Sequence, residues 1–188
     1  MLLPKKCPQQ EIKEGLAHRL DRSNISPVES VVRVLFVCLG NICRSPAAEN
    51  IFREVVKEAG LSRQIIGDSA GTLGLHTGKK PDSRMSRTLA QRSYPVTGAA
   101  RGFTREDFSS YDLILTMDCE NRRDVLALAR SPEEKAKVRD FTDFCQTHSE
   151  SAVPDPYYGG QEGFEFVADL IEDGARGLLA HLRSAFKV

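Results

Sequence analysis

The chain has no Cys-x-x-Cys pair, no excess of either charge and no apolar run close to the length of a membrane span. Each lack removes a class of function. With 26 acidic and 26 basic residues in 188, neither a nucleic-acid groove nor a polybasic membrane surface is indicated. A spanning helix needs roughly 20 consecutive apolar residues, and none occurs. The five cysteines (Cys7, Cys38, Cys43, Cys119 and Cys145) are odd in number and scattered. They form no disulfide framework and fit a reducing, cytoplasmic setting. The histidines His18, His76, His148 and His181 stand apart, so zinc-ligand spacing is missing. Neither the G-x-G-x-x-G dinucleotide fingerprint nor a Walker lysine loop is present.

What remains is the composition of an ordinary globular domain, 40% hydrophobic and 28% charged. Residues 1–30, punctuated by Pro4, Pro8 and Pro27, read as a flexible extension with one short helix over 11–22. They resemble neither a secretory signal nor a transit peptide. Residues 31–188 read as the functional domain. Val31 to Val37 is a β-branched run suited to a buried parallel strand. A helix is expected from Ser45 to Ala59, with Ser45 as N-cap, Pro46 in the first turn and Gly60 as the stop. Further strands are expected over 64–67, 111–117 and 137–141, and further helices over 83–92 and 120–130. The last helix, 163–186, carries Phe164, Val167, Ala168, Ile171, Ala175, Leu178, Leu179 and Leu182 on one face. The expected fold is a three-layer α/β domain. It has a four-stranded parallel sheet, helices on both faces and a phosphate-binding loop after the first strand. Ligands of such sheets bind beyond the carboxyl ends of the strands, where Cys38 falls.

The segment Val37-Cys38-Leu39-Gly40-Asn41-Ile42-Cys43-Arg44-Ser45-Pro46 carries the chemistry. A loop turning into a helix N-terminus aims backbone N–H groups and the positive helix end at an anion. The N–H groups of Leu39 to Arg44 are the expected phosphate cradle. Gly40 permits close backbone approach, and Arg44 can grip two phosphate oxygens with its planar fork. The same field favours the thiolate of Cys38, a strong nucleophile. Asn41 tolerates a left-handed turn and can brace the loop. The Ser45 hydroxyl is available as a helix cap and as a donor to the Cys38 sulphur. A lone cysteine at a strand end is usually an inert core residue. The glycine, the Cys-x5-Arg spacing and the Ser-Pro helix start argue against that here.

This segment resembles the active-site loop of low-molecular-weight protein tyrosine phosphatases. Asp155-Pro156-Tyr157-Tyr158-Gly159 resembles the general-acid loop of the same family. Asp68-Ser69-Ala70-Gly71, Pro81-Asp82 and Asp112 to Asp118 agree more weakly, and the resemblance runs from about Arg33 to the C-terminus. It implies a metal-free, cofactor-free phosphatase acting on phosphotyrosine proteins as a monomer. Cys38 would attack phosphorus to form a phosphocysteine, and Asp155 would serve as general acid and then general base. Leu39, Leu75, Tyr157 and Tyr158 would form the substrate pocket, and Cys43 would be a redox partner for Cys38. On residue chemistry alone, Cys43 also fits as a small buried residue at the base of the loop.

Leu73-Gly74-Leu75-His76 stands where eukaryotic relatives often carry tryptophan at the pocket rim, and His76 could contact substrate. Three rival readings remain open at this point. An arsenate reductase shares the loop but needs two more relay cysteines, and Cys119 and Cys145 are far apart. An arginine phosphatase typically has threonine at Ile42, where an apolar side chain favours an aryl ring over a guanidinium. A binding module would not need both Cys38 and Asp155.

Overall fold

The computed structural model describes residues 31–186. The expected extension and its 11–22 helix lie outside the described residues. Four parallel strands, β1 (Val32–Cys38), β2 (Ile65–Gly71), β3 (Leu113–Thr116) and β4 (Val138–Asp140), form one sheet in the order β2-β1-β3-β4. Six helices accompany them: α1 (Arg44–Glu58), α2 (Ser83–Gln91), α3 (Asp107–Ser110), α4 (Cys119–Leu128), α5 (Pro132–Ala136) and α6 (Gln161–Phe186). One-turn 3-10 helices sit at Gly74–His76 and Phe141–Phe144. The expected α/β architecture is the one observed.

β1 is flanked on both sides, so the two faces of its side chains enter two cores. Val34 and Phe36 join one core with α1 and α6. Leu35 and Val37 join the other with Phe108 of α3 and Val125 of α4. Phe36 meets Phe52 and Phe141 edge-on, at centroid distances of 5.5 and 5.9 Å. From β1 the chain passes through α1 to β2 on one side and later returns to β3 on the other. The loop after β1 therefore opens at the switch point of the sheet, the usual place for a ligand in such folds.

Several readings differ from expectation. Strand β2 runs on through Asp68-Ser69-Ala70-Gly71, whose full length pairs with β1, ending at Cys38 opposite Gly71. Strand β3 is shorter than 111–117, and two short helices, α3 and α5, carry no helical periodicity long enough to read. Ser45 is not the N-cap of α1. The helix already includes Arg44, Cys43 holds the cap position, and no side chain caps it. The Ser45 hydroxyl is occupied elsewhere, as described below.

All eight apolar positions predicted for the face of α6 are buried. Two glycines on the helix let it press against the Phe141–Phe144 turn. A Cβ on Gly177 would lie 1.9 Å from the Phe144 carbonyl oxygen, and one on Gly174 would lie 2.4 Å from the Phe141 ring. Backbone cannot retreat as a flexible side chain can. Gly177→Ala is therefore expected to destabilise the fold by about 3 kcal/mol or more. Thermal unfolding reads this as a Tm drop of roughly 6–12 °C; a Tm matching the parent would show that the helix shifts freely. Among the described residues, no helix is long and apolar enough to cross a membrane.

Candidate active site

Cys38 ends β1 in the core, 3% exposed. Its Sγ accepts hydrogen bonds from the Asn41 backbone N–H at 3.3 Å and from the Ser45 hydroxyl at 3.1 Å. The loop between them turns tightly because Asn41 adopts φ 53°. That left-handed conformation costs a side-chain-bearing residue about 1–2 kcal/mol, so it needs anchors. Asn41 has four polar links for this purpose. Its Nδ2 donates to Ser45 Oγ and to Ser69 Oγ, both at 2.9 Å, and its Oδ1 accepts from the Arg101 N–H at 2.8 Å. Its own N–H is the one given to Cys38. Gly71 at the end of β2 completes the fit, since a Cβ there would stand 2.8 Å from the Leu39 carbonyl oxygen and 3.0 Å from the Asn41 nitrogen.

Arg44 follows as the first residue of α1 and is 2% exposed. Its Nη1 donates to Asp118 Oδ2 at 2.5 Å and to the Val153 carbonyl at 3.2 Å, and its Nη2 donates to Asp155 Oδ2 at 2.8 Å. Burial opposes its charge, but the facing Cys38, Asp155 and Asp118 outweigh that and hold its pKa above that of a free arginine. Arg44 Nε is buried and has no hydrogen-bond partner among the described residues. A buried orphan donor beside a ring of loop amides suits an oxyanion.

Asp155 lies in the loop before α6, and its Oδ1 accepts from the Tyr157 N–H at 3.1 Å. Arg84 of α2 holds this loop. It forms paired bonds to Asp82, donates to the Tyr157 carbonyl at 3.0 Å, and lies against the Tyr157 and Phe164 rings at 5.1 and 4.7 Å. The Arg84 hydrogen bond, ahead of the opposing burial, keeps Asp82 below the usual carboxylate range. Asp82 also caps α2 through the Arg84 N–H.

These groups enclose a cavity of about 230 Å³. Cys38, Leu39, Gly40, Ile42, Cys43 and Arg44 line it from the loop. Leu75, His76, Asp155, Tyr157 and Tyr158 line it from the two flanking segments. The His76 ring rests on Gly40, with Cδ2 only 3.0 Å from where a Cβ would be. Tyr157 and Tyr158 meet edge-on at 5.1 Å, and Tyr158 projects outward, 95% exposed. Asn41 and Ser45 stand behind the cavity as braces and do not line it. Cys43 is buried, and burial, then Asp82, Asp155 and Cys38, drive its pKa far above an ordinary thiol. Cys119 and Cys145 do not line the cavity. Burial, then Asp173 and Glu150, push the Cys145 thiol up to about 12.

Sequence reasoning assigned no role to Asp118, Ser69, Arg84 or Asp82. Asp118 has a second occupation that disguises it, since its Oδ1 caps α4 through the Asn121 N–H at 2.7 Å. The Asp-x-Arg spacing at Asp82 was the one local signal that could have indicated the Arg84 clamp.

Residues 33–187 match the family model described as low molecular weight phosphotyrosine protein phosphatase. A low molecular weight protein-tyrosine-phosphatase of Streptomyces coelicolor is 43% identical over 153 residues, covering 80% of this chain and 93% of its own length. The low molecular weight phosphotyrosine protein phosphatase of Homo sapiens is 40% identical over 135 residues, 71% of this chain and 85% of its own. A crystal structure of a protein tyrosine phosphatase from Entamoeba histolytica, with Hepes in its active site, superposes with a TM-score of 0.80 at 41% identity. It covers 84% of this chain and 99% of that one.

Proposed function

This chain belongs to the low molecular weight phosphotyrosine protein phosphatase family and is a phosphoric monoester hydrolase; from that premise we propose that it hydrolyses phosphotyrosine in proteins, and small aryl phosphates, through a phosphocysteine on Cys38. The observation that carries this reading is a single cavity lined by a thiol, a buried guanidinium with an orphan donor, and a carboxylate. The guanidinium and the carboxylate are 111 residues apart in sequence and touch in space.

In the first step Cys38 Sγ forms a bond to phosphorus as the P–O bond to the phenol breaks. The loop N–H groups of Leu39 to Arg44 and the Arg44 fork bear the charge on the equatorial oxygens. Asp155 gives its proton to the departing phenolate. In the second step water attacks phosphorus, Asp155 takes the water proton, and the S–P bond breaks to return the thiolate. The Ser45 hydroxyl, 3.1 Å from the sulphur, supports the thiolate each time it forms. Leu39, Leu75 and the two tyrosines suit an aryl ring. Ile42 disfavours a guanidinium substrate, because a charge against it would be desolvated without a partner. Under peroxide, a Cys38 sulfenic acid could be captured by the Cys43 thiol, forming a disulfide and releasing water. The proposed catalytic unit is residues 31–188, acting as a monomer in the cytoplasm without metal or cofactor.

The assay is hydrolysis of p-nitrophenyl phosphate and phosphotyrosine in the presence of EDTA. Turnover needs a thiolate and a protonated carboxyl together, so the rate should peak at mildly acidic pH and fall on both sides. Absence of turnover, or a rate restored only by added divalent metal, would overturn the proposal.

A further inference from the structure

The mouth of the cavity is apolar, and its two flanks differ in charge. Nine large hydrophobic side chains are exposed among the described residues, and five of them, Leu39, Leu73, Leu75, Tyr157 and Tyr158, gather here. Four line the cavity. The fifth, Leu73, is tied beside Leu39, whose carbonyl accepts the Leu73 N–H at 2.9 Å. Leu75 is 77% exposed. Apolar side chains scattered singly over a surface need no explanation, but a collar of them around one opening marks a surface that a partner covers.

The flank that follows Leu75 is pinned down and basic. The Lys79 N–H donates to the His76 carbonyl at 2.8 Å. Gly78 and Lys79 exchange bonds with Ala100, the Gly78 N–H donating at 2.7 Å and the Lys79 carbonyl accepting at 2.8 Å. The Asp82 N–H then donates to the Ile42 carbonyl of the phosphate loop at 2.7 Å. Lys79 and Lys80 therefore stand on backbone fastened at both ends to residues that line the cavity, His76 and Ile42. Both lysines are exposed. The arginines around the same loop are already matched: Arg44 by Asp118 and Asp155, Arg84 by Asp82, and Arg101 by Asp68 and Asp107. Neither lysine has a carboxylate partner among the described residues. The other flank has the opposite sign. Asp155 lines the cavity there, and Glu120 and Glu162, in the first turns of α4 and α6, are exposed.

We propose that Lys79 and Lys80 select the substrate: the phosphotyrosine segment that fits this protein carries acidic side chains on one side of the phosphotyrosine, against the lysines, while its apolar neighbours lie on the collar. The proposal rests on the reading of the cavity as a phosphotyrosine site. Phosphotyrosine itself occupies the cavity and leaves the rim free. In an extended peptide each residue advances about 3.3 Å. Side chains two or three places away therefore lie roughly 7–10 Å from the phosphotyrosine, over the rim. An acidic side chain there meets unpaired ammonium groups on one flank and carboxylates on the other, so the preference is one-sided. An ammonium on a flexible stem is a point charge without a fixed fork. It selects by the sign of the charge, and aspartate and glutamate serve alike.

The test compares five phosphotyrosine peptides: one with neutral flanks, two with a pair of glutamates before or after the phosphotyrosine, and two with lysines in the same places. At low salt, glutamates on one side should raise kcat/KM about five- to twentyfold over lysines there, mainly through KM. On the other side the gain should be less than about twofold, or reversed. At about 0.5 M salt the preference should shrink to roughly twofold or less. Lys79→Glu combined with Lys80→Glu should reverse the preference, and Lys79→Gln combined with Lys80→Gln should erase it. Both pairs should keep kcat on p-nitrophenyl phosphate within about twofold of the parent, since that substrate has no flanks to select. Equal rates on all charged peptides, an equal preference on both sides, or a preference that survives in the double glutamate variant would overturn the role of the lysines. No turnover of the neutral peptide would remove the phosphotyrosine reading and this proposal with it. Turnover of that peptide without a charge preference would remove this proposal alone.

Discussion

Cys38→Ser is expected to lower the turnover of aryl phosphates by a factor on the order of 10⁴ or more while the loop still binds anions. A serine hydroxyl is not ionised at working pH and is a poor leaving group from phosphorus, so both steps lose their driving force. Everything else in the cradle survives the change. The loop amides, the N-terminal end of α1 and Arg44 do not depend on the sulphur atom for their placement, since Asn41 is held by Ser45, Ser69 and Arg101. Serine also places no charge at the centre of the cradle to repel an oxyanion. Titration of inorganic phosphate by calorimetry should therefore give a Kd equal to or lower than that of the parent. Residual activity above roughly one per cent of the parent would sink the covalent mechanism. Loss of phosphate binding would instead mean that the substitution had collapsed the loop.

Asp155→Ala should separate substrates by their leaving groups. Tyrosine leaves as a phenolate with a pKa of about 10, and needs the proton that Asp155 supplies. Its hydrolysis is expected to fall by about 10²–10⁴. p-Nitrophenolate departs well unaided, so the first step should slow far less on that substrate. The second step also loses its base, so the phosphocysteine should accumulate and release a burst of p-nitrophenol. KM should not rise, because Arg44 loses a competitor at Nη2 and keeps its partners Asp118 and Val153. Equal losses in the first-step rate on both substrates would refute the general-acid assignment.

The fold is readable in sequence wherever one physical demand acts on a stretch. Val34 to Cys38 is buried on both faces and is correspondingly apolar. The α6 stripe repeats long enough to mark all the buried positions but Leu170, Gly174 and Gly177. Strand β2 hides its second half because Ser69 and Gly71 serve the loop, which calls for a hydroxyl and for the absence of a side chain. Neither requirement looks like a strand. Ser45 misleads for a similar reason. Ser-Pro at a helix start predicts a cap, yet the hydroxyl turns inward to Cys38 and Ala70. Cys38 and Arg44 are legible because both fall in one short line with a fixed spacing. The approach of Asp155 to Arg44 across 111 residues depends on how the loop before α6 packs. Local spacing carries none of that, and only resemblance anticipated the residue. Asp118 reads as an ordinary helix residue, because it does an ordinary helical job on one oxygen and a second job on the other.

The ion pair between Arg44 and Asp155 bears on how the site empties. A carboxylate tethered beside a guanidinium acts as a competing anion at very high effective concentration. Free phosphate must displace it to stay. In the proposed cycle inorganic phosphate is the last species in the loop, and a bare guanidinium would retain it well. On the proposed mechanism, Asp155 reclaiming Nη2 is expected to assist departure of the product and to hold down product inhibition.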